Sequence, residues 1–172
     1  LPAGVGMSIV ALANGAMNPV LTGLIAAMGD TWFHVIANPY TDTASLTAIE
    51  NELASRFGPL RMIDGLAIAS APGTVATLGA LGDSRNSPHS CIVAQPGKNP
   101  VTAPAEFAAA VAGVVAYYAA IDPARPLQTL PVAGVLPPAE SGRFTLQERN
   151  LLLRDGIGTT RAVAGQVQIE RI

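Results

Sequence analysis

The chain has little with which to do chemistry. Of its 172 residues, one is cysteine, two are histidine and one is lysine. The single thiol, Cys91, excludes an internal disulfide, and it stands in an apolar run where a buried thiol is expected. One thiol and two distant histidines, His34 and His89, supply no ligand set for a metal. Charge is scarce as well: 13% of residues are charged, ten basic against twelve acidic, for a net −2. The lone lysine, Lys98, and scattered arginines exclude the clustered basic surface that phosphate contacts require, so no nucleic-acid partner is expected. Few charges also means few groups to hold neighbouring copies apart; a surface covered by other subunits and an ordinary alanine-rich domain both fit that. The longest apolar run, Phe107 to Ile121, falls short of the roughly 20 residues needed to cross a bilayer, and no membrane insertion is expected. No basic stretch precedes the first apolar segment, as a signal peptide would require. Starting at Leu1 without methionine and ending in a strand-like run, the chain reads as a fragment or processed core.

What is present is a hydrophobic content of 49%, enough for one folded domain. Gly6 to Ala13 reads as a buried strand ended by Asn14-Gly15. Asn18-Pro19 reads as a cap and first turn for a helix whose face is Val20, Leu21, Leu24, Ile25 and Met28, stopped by Gly29. Strands follow at Thr31 to Ala37, Gly65 to Ala71 and Ser90 to Ala94. Between them lie a helix capped by Asp42 or Thr43, with Leu46, Ile49, Leu53 and Phe57 inward, and a shorter one from Thr74 closed by Gly82. Pro104 opens a long helix to Ile121, and a short extended run follows near Leu127 to Val132. Continuously apolar strands alternating with helices predict an α/β fold: a mostly parallel sheet of about four strands with helices on both faces. The rhythm then changes. A C-terminal helix and a β-hairpin, Thr159 to Val163 and Val167 to Ile172 around Ala164-Gly165-Gln166, complete a single domain, divided as a 1–140 core and a 141–172 helix and hairpin.

Tests for chemistry fail along the whole chain. The loop after the first strand lacks G-x-G-x-x-G, and no phosphate-binding G-x-x-x-x-G-K-[ST] occurs. His34, between Phe33 and Val35, reads as a core or interface histidine. Ser87, His89 and Ser90 share the polar run Gly82 to Cys91; as sequence neighbours without a G-x-S-x-G elbow they read as loop capping, with a small Rossmann-like hydrolase as the alternative. Glu50 and Glu52 read as a solvated helix face. In contrast, Thr145 and Glu148 have the spacing of a capping box, which satisfies two orphan N–H groups at a helix start. Arg149 and Arg154 lie about a turn apart on that helix, exposed to solvent or positioned to meet acids of a neighbouring subunit. With Arg125 and Asp155 in the same C-terminal stretch, these are the candidate structural and interface residues.

The stretches DPARPLQTLPVAGVLPP and RFTLQERNLLLRDGIGT, with WFHVIANPYTD, FGPLRMIDGLAIAS and LGDSRNSPHSCIV upstream in the same order, resemble the contractile-tail sheath proteins of Mu-like bacteriophages over essentially the whole chain. The resemblance implies a virion structural protein, assembled in the host cytoplasm, with no catalytic residue and no cofactor. It implies a homo-oligomer stacked around a tail tube protein, which contracts to drive the tube through the host envelope. Intact sheath subunits carry further N- and C-terminal segments, so tube binding and polymerisation are expected to need more than this chain. A non-enzymatic cytosolic binding domain is the remaining alternative.

Overall fold

The computed structural model describes residues 18–172, so the expected strand at Gly6 to Ala13 lies outside the described residues. A short helix α1 (Thr22–Met28) leads to strand β1 (Val35–Asn38), helix α2 (Thr43–Phe57), strand β2 (Leu66–Ala71), helix α3 (Val75–Asp83), strand β3 (Ser90–Ala94) and the long helix α4 (Pro104–Ile121). Strands β1, β2 and β3 form a parallel sheet in that order among the described residues, with Ile36 opposite Ala67 and Ile68 opposite Cys91. Both faces are covered, which is why the strands read as unbroken apolar runs. On one face, Phe107, Val111 and Val115 of α4 pack on Ile68 and Val93. On the other, Leu46 of α2 and Leu78 of α3 pack on Ala69, Ala71, Ile92 and Ala94. Helix α4 is long and apolar enough by length and composition to cross a membrane, yet it buries one face as the core helix of this sheet.

Strand β4 (Pro131–Val132), a single 3-10 turn (Glu140–Gly142), helix α5 (Leu146–Arg154) and strands β5 (Thr159–Val163) and β6 (Gln166–Arg171) complete the chain. Ala164 and Gly165 both take positive φ, 48° and 78°, as a two-residue hairpin turn matched to strand twist requires. The partner that this hairpin needs comes from the Pro-rich segment: β4 pairs with β6, giving an antiparallel sheet in the order β4-β6-β5. Val167 and Ile169 of β6 and Val132 of β4 join the cluster beneath α4. The two sheets are joined where the Gly158 N–H donates to the Ile92 carbonyl, the Ala94 N–H donates to the Gly158 carbonyl and the Thr160 hydroxyl donates to the Ala94 carbonyl.

Several expectations need correction. Helix α1 begins at Thr22, because the Asn18 amide donates to the Asp42 carboxylate instead of capping, and none of the helix is buried. His34 lies outside β1 with its ring exposed beside Trp32, 3.9 Å from the Asp64 carboxylate. Phe57 is exposed at the end of α2, while its neighbour Arg56 is buried. Gly82 does not stop α3, which runs on to Asp83. Glu50 and Glu52 are largely withdrawn from solvent, each in an ion pair.

Candidate functional site

The capped helix α5 is the best-specified local structure in the chain. The Thr145 hydroxyl accepts the Glu148 N–H at 3.3 Å, and the Glu148 carboxylate accepts the Thr145 N–H at 2.8 Å. The other carboxylate oxygen lies 2.8 Å from the Lys98 ammonium, on the loop after β3. The hydrogen bond from Lys98, then that from the Thr145 backbone, lowers the Glu148 carboxyl to about 2. The N–H of Lys98 donates to the Gly142 carbonyl, so the only lysine holds the 3-10 turn by its main chain and α5 by its side chain.

Arg149 does not reach outward. Its guanidinium spans the Glu170 carboxylate of β6 and the Phe144 carbonyl, both at 2.6 Å. Leu152 is completely buried among the residues of α2, α3 and β3. At the far end, Asp155 rests on α3: a Cβ at Gly79 would lie 2.6 Å from the Asp155 carboxylate, and one at Gly82 would collide with its carbonyl oxygen. These glycines let α3 and α5 approach closely. Of the remaining candidates, Arg154 is exposed, and Arg125 lies 4.5 Å over the ring of Tyr118, a cation–π contact.

Among the described residues, those of the hydrolase alternative form no relay through the His89 ring. The Ser87 hydroxyl accepts the His89 N–H, the Ser90 hydroxyl donates to Glu50 at 2.7 Å, and the His89 ring packs on Phe57. The cavity of about 140 Å³ beside this loop is lined by Arg85, Asn86, Ser87 and Ser90, and His89 is not part of it. Arg85 in turn bridges Glu50, Thr47 and the Thr43 carbonyl, stapling the loop to α2. Among the described residues no group of three potential ligands could hold a metal. A groove of about 500 Å³ at the lower end of β2 and β3 is mostly apolar, and burial there pushes the Cys91 thiol up to about 11, away from the reactive thiolate.

Sequence reasoning missed the network around α2. Arg56 is 1% exposed; it bonds Glu52 and the carbonyls of Gly29 and Thr31. Arg61 joins Glu52, Asp30 and the same Gly29 carbonyl. The four-residue spacing of Glu52 and Arg56 was the available signal.

This is an α/β scaffold whose ion pairs brace α2 and α5 against their neighbours, and known proteins agree on its class. It has the fold of the sheath tail protein from Desulfitobacterium hafniense, with a TM-score of 0.59 at 17% identity, covering 86% of this chain and 32% of that one. Residues 14–171 match the family described as phage tail sheath protein central domain. Over 171 residues the chain is 42% identical to the Mu-like prophage FluMu tail sheath protein of Haemophilus influenzae, covering 98% of this chain and 34% of that protein. The chain belongs to the phage tail sheath family. It spans about one third of the length of the relative that it matches.

Proposed function

We propose that the chain is the central piece of a subunit that polymerises around a tail tube and contracts to drive the tube through a host envelope. The single observation that carries this reading is the family match across residues 14–171. The bracing of α5 supports it, since a part that transmits force must move as one body. Lys98, Arg149 and the Asp155 contact tie that helix to the sheet, the hairpin and α3. On this reading residues 1–140 and 141–172 act together, and the tube contact and much of the polymer contact involve the parts of the longer protein outside this chain. The subunit is assembled in the host cytoplasm and ends in the virion tail, with a second copy and the tube protein as partners. Electron microscopy of the intact protein should reveal hollow tubular polymers. An intact protein that remains monomeric at every ionic strength tested would overturn the reading.

A further inference from the structure

The groove of about 500 Å³ at the lower end of β2 and β3 is a gap in the cover of a core. Leu66, Ile68, Cys91 and Leu127 line it, and all four belong to or pack against the apolar cluster beneath α4. Arg171 is the one charged residue in its lining, and the Ser90 hydroxyl is already committed to Glu50. A small-molecule site needs a few convergent polar groups to orient its ligand, and this groove does not present them.

The main chain itself leads into the groove, because Arg171 and Ile172 form part of its lining. Gly158 makes their approach possible: a Cβ there would lie 2.9 Å from the Ile172 side chain and 3.4 Å from the Arg171 carbonyl. Gly158 runs parallel with Val93, and β6 runs antiparallel to β5, with Arg171 opposite Thr159. Past Ile172 the backbone is therefore headed toward the Ser90 end of β3, where the groove lies. That end of the strand is open. Gly156 and Ile157 turn their N–H groups back to Leu153 and Leu152 of α5, so among the described residues no strand lies beside the Ser90 half of the outer edge. His89 faces β2, accepting the Ala67 N–H, and by alternation Ser90 and Ile92 turn their main-chain groups to that outer edge.

On the sheath reading, on which this inference rests, the protein continues past Ile172. We propose that the segment directly following Ile172 lies extended in this groove, covers Ile68 and Cys91 with an apolar side chain, and runs antiparallel beside Ser90 to Ile92. Its tether selects this occupant over others. A segment that starts at the rim is present at an effective concentration in the millimolar range, which a second copy must outcompete. The residues before Asn18 set out from the opposite edge of the sheet, where Asn18 is held by Asp42 after β1.

The test uses the intact protein with single cysteines introduced at successive positions after Ile172, over roughly six residues or about 20 Å of extended chain. Mild oxidation, digestion and mass spectrometry then read which of them forms a disulfide with Cys91. The bond needs Cβ atoms about 4 Å apart, and alternate residues of an extended strand face the groove. One or two positions should therefore cross-link at least tenfold more than their neighbours. Burial slows the Cys91 thiol for every partner alike, so the comparison between positions holds. An equimolar mixture of isotope-labelled and unlabelled protein separates the sources. Disulfides confined to one isotope support the proposal, whereas mixed pairs would show that a second copy fills the groove and would overturn it. Uniformly weak cross-linking along the segment would overturn it too. Tubes that form without the cross-link remove this contact alone and leave the sheath reading standing. An intrachain cross-link in a protein that never polymerises would keep the contact and remove the sheath reading.

Discussion

Single residues at the start of α5 set measurable energies. Replacing Thr145 by alanine removes the side-chain acceptor for one orphan N–H, and should cost about 1 kcal/mol with the fold intact. Chemical denaturation of the two proteins side by side measures it; an unchanged midpoint would mean that the cap contributes nothing. Glu148 adds a pH dependence. Its folded value of about 2 lies below the usual 4.5, so its contribution is fully present above pH 4.5 and is lost as the pH falls toward 2. Replacing Lys98 by methionine removes the largest cause of that depression. The variant should lose less stability than the wild type between pH 5 and 2, as urea midpoints across that range would reveal. These residues were legible in the sequence because capping is local: three residues of spacing contain the whole interaction. Arg56 was not. Its acceptors, the carbonyls of Gly29 and Thr31, lie over 20 residues away, and only the folded chain makes a buried guanidinium cheaper there than the adjacent Phe57.

Among the elements, those with a chemical start signal were readable. Asp42, Thr74, Pro104 and Thr145 each stand where a helix begins. Helix α1 failed that test because Asn18 had a better partner in Asp42. The hairpin was readable from its turn, and its third strand falls within the extended run expected near Leu127 to Val132, but the pairing of that run with β6 was not readable, since two residues inside a proline-rich run carry no period. Glycines within helices require tertiary knowledge as well. Gly82 lies against the Asp155 carbonyl, whereas a Cβ at Gly113 of α4 would meet nothing within 4 Å. Alanine at Gly82 should therefore destabilise by about 1–3 kcal/mol through overpacking. At Gly113 the same change should stabilise by up to about 1 kcal/mol, the ordinary helix preference for alanine over glycine. Thermal melts of both variants check the pair, and equal signs would refute the close approach of α3 and α5.

For the whole molecule, the alternation of strands and helices specified the layers, because burial on both faces leaves an unmistakable apolar record. It could not specify what covers the outside. The candidate surface of Arg149 and Arg154 turned out to be half internal, and the exposed apolar end at Leu60 and Met62 carried no periodic signal, being a loop.

The strand order β4-β6-β5 has a mechanical corollary. The last strand in sequence is the middle strand of its sheet, so a pull applied at Arg171 runs along an element bonded on both flanks. Its ladders are strained together, in shear, whereas a strand at the border could be peeled away one bond at a time. The β6 side chains Val167 and Ile169 are wedged beneath α4, so that tension passes directly into the α/β layers. On the proposed sheath role, such wiring lets β6 pass tension from Arg171 into the rest of the domain.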